Sequence, residues 1–430
     1  MTAAQQPPTT RFGSLVHLRD DPRLAGLARL QESSPMLDAV IDEVRGRRIR
    51  VGRHWLADFA SCNYLGFDLD PEIAASIDEQ VRRWGTHPSW SRLLGNPRLY
   101  PEIEERLTEL LGAPDSLVLP TITHIHSSVL PVLAGDGTLL LEAQAHRTMY
   151  NGAVIAAATG ATVHRFRVDD LDRLAHLLRR APANAARVVG VDGVNSMTGN
   201  PPDLPRLAQT CREHGALLYV DDAHGFGVIG ERGPDEASPY GCRGNAVVRH
   251  YGQTYDDIVL VGGFSKAYSS LLAFLTAPTW LKEHLKVAAP PYLYSGPSPT
   301  ASLATVLAGF EVNKRRGDAL RADLYRKTER VLDHLKVLGV HTPNVSGAPI
   351  VEIPLADAEH LEVVGRLLWN AGIYVTLAAY PLVPRADVGF RVQVTAANSD
   401  EEVDELLAVI TVLAERSLLQ GRAETGVPTH

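Results

Sequence analysis

The chain of 430 residues carries 42 Lys and Arg against 50 Asp and Glu, a formal net charge of −8 that argues against non-specific binding to nucleic acid or to anionic membranes. That length exceeds one ordinary compact core, so a large domain with a smaller companion is expected, and 45% hydrophobic with 21% charged residues is a globular balance. Cys62, Cys211 and Cys242 have neither metal-ligand spacing nor an even number for disulfides, the N-terminus lacks a secretory apolar stretch, and no run of about twenty apolar residues occurs, so a cytoplasmic protein without a membrane span is expected.

Residues 1–20 read as a flexible N-terminus and 21–75 as an N-terminal segment. Within the latter, a helical pattern runs over 22–44 and ends near Arg45-Gly46, and 55–60 reads as a short strand. Residues 70–84 read as a helix with Asp70 as its cap and Pro71 in first position. A large domain is expected over 76–298, opening with an amphipathic helix at 101–111. Short apolar runs at 116–119, 138–142, 162–166, 188–191, 217–220 and 258–262 then read as strands. The stretches 126–133, 147–158, 171–180 and 203–214 between them read as helices. Strands alternating with helices predict an α/β fold around a mostly parallel sheet covered on both faces. Beyond Pro299 the pattern changes to helices at 301–316 and 319–338, a strand at 350–353, a helix at 359–370, short strands near 373–376 and 390–394, and a helix at 400–418. That is a smaller C-terminal α+β domain over 299–420, with a disordered tail at 421–430.

Chemistry concentrates at two strand ends. One is Val220-Asp221-Asp222-Ala223-His224-Gly225 and the other Gly262-Gly263-Phe264-Ser265-Lys266. In open α/β sheets ligands bind beyond the carboxyl ends of the strands, so both segments are expected in one cleft. Side chains alternate across the pleat, so only one of Asp221 and Asp222 faces a given ligand. An Asp pair at a strand end also serves as a helix cap, but the following His224-Gly225-Phe226-Gly227 reads as a tight loop approached by a ligand. A lysine at the end of a buried strand is costly unless its amine is neutral or partnered, and Schiff-base chemistry gives Lys266 such a reason. Its alternative is a turn residue emerging into solvent. The turn Leu119-Pro120-Thr121-Ile122-Thr123 before a helix offers hydroxyls and free amides to an anion, and His146 stands at another strand-to-helix junction, where a helix cap is the plainer role.

Taken together these segments resemble the α-oxoamine synthases, pyridoxal-phosphate enzymes of the aspartate-aminotransferase fold, from about residue 23 to 418. The resemblance rests on Asn63-Tyr64-Leu65-Gly66, on Ser91-Arg92-Leu93-Leu94-Gly95, and on Asp192-Gly193-Val194-Asn195-Ser196-Met197. It rests above all on the ten positions Asp221 to Gly230, then on Ser265-Lys266, Tyr294-Ser295 and Arg391-Val392-Gln393-Val394-Thr395-Ala396. It implies a fold type I architecture, pyridoxal 5'-phosphate as cofactor, and a homodimer sharing its active sites. The implied reaction condenses an amino acid with an acyl thioester of coenzyme A or an acyl carrier protein, usually with decarboxylation. By position, Lys266 resembles the Schiff-base lysine that also moves the α-proton, and Asp221 the partner of the ring nitrogen. His224, with Ser196 nearby, resembles the donor to the phenolic oxygen, and His146 the residue stacked on the ring. Arg391, with Asn63 and Arg92, resembles the substrate-binding set, a bidentate guanidinium suiting a carboxylate.

The chain departs from the family at Thr121-Ile122, where a glycine and an aromatic are usual, at Gly263 and Gly296, where threonines are usual, and at Trp90. A rebuilt phosphate cradle of Thr121, Ile122, Thr123, Ser265 and Ser295 is therefore expected, in a specialised member of the family. An aminotransferase or carbon–carbon lyase, and a cofactor-free regulatory homologue, are the alternative readings.

Overall fold

The computed structural model describes residues 24–233 and 236–422. The first helix is confined to Ala25–Ser33 rather than running to residue 44. Pro35 is the cause: a proline forces the residue before it out of the helical region, and Ser34 is extended at φ −102°, ψ 126°. The chain then forms an antiparallel ribbon of β1 (Glu43–Arg45), β2 (Arg48–Val51) and β3 (His54–Asp58). The helix Pro71–Trp84 is capped as expected, Asp70 accepting from the amides of Glu72 and Ile73.

The central sheet comprises β4 (Ser116–Leu119), β5 (Thr138–Glu142), β6 (Thr162–Phe166), β7 (Arg187–Asp192), β8 (Leu217–Asp221), β9 (Ile258–Gly263) and β10 (Ala273–Thr276). Its order is β4-β10-β9-β8-β7-β5-β6. Only β10 runs antiparallel to its neighbours, so the carboxyl ends of the other strands share one edge. Sequence reading finds six of these strands and misses β10, whose four residues are too few to show a period. Burial on both faces explains the continuous apolar runs: Leu218 and Val220 pack into one core, Tyr219 into the other.

Two helices expected on either side of Gly317 are one, Thr300–Val337. The glycine provides space rather than a break. A Cβ there would lie 2.2 Å from Asn313 Oδ1 and 2.8 Å from Arg321 Nη2. The fully buried Arg321 uses that room to donate to the Gly227 carbonyl at 3.0 Å and to Asn313 Oδ1 at 2.8 Å. Downstream lie β11 (Ile350–Pro354), β12 (Ile373–Tyr374), β13 (Thr376–Ala378) and β14 (Gly389–Gln393). β11, β14 and β13 make an antiparallel sheet, while β12 joins β3 in parallel. The single strand expected near 373–376 is thus two strands serving different sheets, and the N-terminal segment shares a sheet with the C-terminal region.

The final helix Asp400–Glu415 starts at a capping box between Ser399 and Glu402. The chain stays tied beyond it: Gly421 bridges Val340, and the Arg422 amide donates to the Gly339 carbonyl at 2.8 Å, so the tail expected from 421 is ordered at its first two residues. Residues 1–23 and 423–430 lie outside the described residues, with the flexible N-terminus and the rest of the tail expected there. No described helix is long and apolar enough to cross a membrane.

Candidate active site

Five carboxyl ends of the central sheet supply the site. β4 leads to Thr121–Thr123, β5 to His146, β7 ends at Asp192, β8 at Asp221, and β9 leads to Lys266. The register sets Asp192 beside Asp221 and Asp221 beside Val261, five residues before the lysine.

Asp221 and Asp222 divide as the pleat requires. The buried Asp222 turns away and accepts from the Val247 amide at 2.8 Å, and burial pushes its carboxyl up to about 7. Asp221 faces the cleft side. It accepts from the Ala223 amide at 3.1 Å, and its Oδ2 lies 2.8 Å from His126 Nε2. Burial alone would raise its pKa, but His126, Lys266 and His146 outweigh that and hold it below the usual range. The other ring nitrogen of His126 is 2.8 Å from the Tyr219 hydroxyl.

Lys266 is half-buried in the turn after β9. Desolvation lowers its pKa against the opposing pull of Asp221 and Asp192, so its amine loses its proton more readily than a free lysine does. His146 caps the helix Arg147–Ala158 and keeps its ring open to the cleft. Its amide donates to Asp192 Oδ1 at 3.0 Å. Its pKa is lowered by burial first, with the charges of Asp221, Lys266, His126 and Arg391 all felt at the ring, which places it among them. The buried His224 has Nδ1 2.7 Å from the Tyr64 hydroxyl, and burial, then Lys266 and Arg391, depress its pKa well below the usual value. With Tyr64 donating to Nδ1, the proton of the neutral ring sits on Nε2.

Arg391 reaches from β14. One terminal nitrogen donates to the Ser196 carbonyl at 2.5 Å, and its buried Nε has no partner among the described residues. Sharing the region, Gln393 Nε2 donates to Cys62 Sγ at 2.6 Å. Asn63 donates one amide N–H to Asp68 at 3.0 Å, leaving its second N–H and its carbonyl oxygen.

The turn expected to cradle a phosphate departs from the family pattern in a legible way. Thr121 caps the helix Ile122–Ala134, and its hydroxyl is 2.9 Å from His124 Nδ1. A Cβ on Gly263 would lie 2.7 Å from Ile122 Cδ1 and 3.4 Å from Ser265 Oγ, so Ile122, Gly263 and Ser265 converge, and the isoleucine occupies the room a residue 263 side chain would need. Thr123 and Ser265 are exposed beside it.

Two expected site residues stand elsewhere. Arg92 is buried with its donors committed: to Asn96 Oδ1 at 2.9 Å, the Val118 carbonyl at 2.5 Å and Glu104 Oε1 at 3.0 Å. It stacks on Tyr100 and Tyr292 at 4.1 and 4.8 Å, and Glu104 in turn pairs with Lys282 at 3.0 Å. All three guanidinium nitrogens are engaged within the protein and the side chain is buried, so this arginine ties the 91–96 loop to β4. Ser295 Oγ bonds only to its neighbour Gly296, and the segment lies against His87, with no described contact to Thr121–Thr123 or Ser265. Sequence reading missed Tyr64, Asp192, His126 and Tyr219. The last had a signal, since residues two apart on a strand share a face and Tyr219 precedes Asp221 by two.

The sequence pattern of the aminotransferase class I and II family matches residues 57–410. The 8-amino-7-oxononanoate synthase of Chromohalobacter salexigens is 34% identical over 352 residues, 81% of this chain and 87% of that protein. The chain belongs to the α-oxoamine synthase family. Another relative, the 8-amino-7-oxononanoate synthase of Pseudomonas putida, is 32% identical over 88% of this chain and 93% of its own. The serine palmitoyltransferase of Sphingomonas wittichii superposes with a TM-score of 0.82 at 26% identity, over 96% of this chain and 99% of that one. As an α-oxoamine synthase the chain is a pyridoxal-phosphate-dependent acyltransferase of fold type I. Its residues fit that cofactor: a buried carboxylate held below its usual pKa, a desolvated amine, an imidazole that feels the charge of both, and an orphaned guanidinium nitrogen whose charge is felt at the amine.

Proposed function

We propose that the protein condenses an amino acid with an acyl thioester of coenzyme A or an acyl carrier protein, releasing the thiol and carbon dioxide and leaving an α-aminoketone. The observation that carries this reading is the meeting of Asp221 and Lys266 at neighbouring strand ends, with Arg391 near enough for its charge to bear on Lys266 and its buried Nε without a described partner. Bound pyridoxal phosphate supplies an aldehyde for amines and an electron-poor ring that stabilises negative charge at the substrate's α-carbon. Asp221 would hold the proton on the ring nitrogen, His224 Nε2–H would donate to the phenolic oxygen, and His146 would stack on the ring. The amides and hydroxyls of Thr121–Thr123, with Ile122 as the wall and Ser265 beside them, would hold the phosphate at a helix N-terminus. Arg391 takes the substrate carboxylate, helped by the second N–H of the Asn63 amide, and Lys266 Nζ takes the α-proton. One carbon–carbon bond forms at the thioester carbonyl as the carbon–sulfur bond breaks, the departing thiolate takes up the α-proton, and the α-carbon that loses carbon dioxide takes one proton from solvent.

The reading extends to assembly and setting. A homodimer is supported by the exposed apolar residues Trp90, Leu93, Leu94, Leu271 and Tyr294, and by Ser295, which fits as a phosphate ligand only in a partner's cleft. Three free cysteines accord with a cytoplasmic protein. A large domain over 76–298 and a smaller one over 299–420 would place Arg391 across the cleft from Lys266.

The test mixes pyridoxal-phosphate-loaded protein with a panel of amino acids and acyl thioesters, following thiol release and product mass. Thiol release that requires both substrates, with a product lighter than their condensate by one carbon dioxide, is expected. Amino-group transfer to a keto acid without thiol release would replace this reading with an aminotransferase.

A further inference from the structure

We propose that His126 and Tyr219 form a buried relay behind Asp221 that keeps its carboxylate ionised and so fixes the proton on the ring nitrogen of the bound cofactor. The inference rests on the reading that Asp221 meets that nitrogen, and it makes His126 and Tyr219 positioning residues for the reaction.

The geometry is a chain of three groups. Tyr219 Oη is 2.8 Å from His126 Nδ1, and His126 Nε2 is 2.8 Å from Asp221 Oδ2. His126 and Tyr219 are fully buried and Asp221 nearly so, so water does not compete for these bonds. Two elements fix them. Tyr219 and Asp221 point to one face of β8, and His126 hangs from the helix Ile122–Ala134, whose start is the phosphate turn. That helix cannot drift. At Gly152 the helix headed by His146 touches it backbone to backbone, since a Cβ there would lie 2.3 Å from the His126 carbonyl oxygen. Phosphate turn, stacking histidine and relay are therefore parts of one rigid helix pair.

The hydrogens have one economical arrangement. Burial pushes the Tyr219 phenol well above its ordinary value, so it keeps its proton and donates to Nδ1. The neutral imidazole then carries its hydrogen on Nε2 and donates it to Asp221. If the imidazole gains a second proton, the phenol turns to accept and Nε2–H still donates. In either state Asp221 receives one donor from His126 and one from the Ala223 amide, and donors to a carboxylate favour its charged form. A carboxylate so held takes the ring proton less readily, and the proton stays on nitrogen. The other titratable groups that bear on it are Lys266, His146 and, in register on β7, Asp192.

Three variants test this in the loaded protein: His126→Leu, which removes the donor, His126→Gln, whose amide can supply one, and Tyr219→Phe, which removes one oxygen. The readouts are the cofactor dissociation constant and the 15N resonance of ring-labelled pyridoxal phosphate across neutral pH. H126L should move the resonance toward the unprotonated position and weaken cofactor binding about tenfold or more, the scale of a lost hydrogen bond to a charged group. H126Q should stay close to the parent, and Y219F should fall between. Parent-like resonance and affinity in H126L, or equal losses in H126L and H126Q, would overturn the relay. Should H126L fail to fold, Y219F and H126Q carry the same comparison, and a parent-like resonance in Y219F with H126Q unprotonated refutes it. Asp221→Asn separates the two readings: if it leaves the resonance unmoved, Asp221 does not meet the ring and the proposed function fails, whereas movement in D221N but not in H126L removes only the relay.

Discussion

The unfilled edge of Arg391 makes the sharpest prediction about substrate. Its guanidinium is anchored by one terminal nitrogen on the Ser196 carbonyl at 2.5 Å, while Nε is buried without a described partner. An edge of Nε and the second terminal nitrogen is therefore available for a bidentate carboxylate. Two charge-assisted bonds of about 1.5–3 kcal/mol each sum to about 3–6 kcal/mol, so R391A should lower kcat/KM for the amino acid by about 10²–10⁴-fold. R391K keeps the charge but loses the fork, and should fall between the two. The decisive comparison is kcat/KM for the amino acid against that for its carboxamide, measured by thiol release in the parent and in R391A. The parent should discriminate strongly and R391A hardly at all. An undiminished preference for the acid in folded R391A would refute the assignment and leave the buried Nε without explanation.

Arg92 gives the opposite expectation. R92M breaks a buried pair, but Lys282 still neutralises Glu104, so the loss should sit near the low end for such pairs, about 3 kcal/mol, read as a lowered Tm with KM for the amino acid unchanged. A raised KM without lost stability would return Arg92 to the substrate site. At the phosphate turn, G263T drives a side chain into Ile122 and should weaken cofactor binding, with I122A in the same chain restoring it; additive losses in the double variant would argue against the steric exchange. Asp222 predicts a pH dependence. Its native carboxyl is pushed up to about 7, while an unfolded one titrates at about 3.9. Between those values the native state binds the extra proton, so stability falls as pH rises from about 4 to 7 and levels off above. The slope carries at most about 4 kcal/mol and should flatten in D222N, which retains the acceptor for the Val247 amide; an unchanged Tm profile would contradict it.

The central sheet was legible because most of its strands are buried on both faces and separated by capped helices; β4 and β5 fall on the residues expected, and so does the largely exposed edge strand β6. Strand ends are also where such a fold presents ligand-binding groups, which is why Asp221 and Lys266 could be placed together from sequence, whereas His146 joined them only through the family resemblance. What failed depended on partners distant in the chain. Arg92 stands in a familiar segment, yet Glu104, Tyr100 and Tyr292 decide what it does. Gly317 looks like a helix break until Arg321 is seen to fill its space. His126 lies 95 residues from Asp221, so no local pattern announces the contact, although Tyr219 on the same strand face hints at one. Ser295 depends on a second copy of the chain under the proposed assembly.

The central claim is that the Lys266 amine and the Asp221 carboxylate meet opposite ends of one pyridoxal phosphate. Borohydride reduction of the loaded protein, followed by peptide mapping, tests it most directly. The account predicts the phosphopyridoxyl mass on Lys266 alone, and its loss in K266A. A reduced adduct on another lysine in the parent protein, or undiminished labelling of K266A, would contradict it.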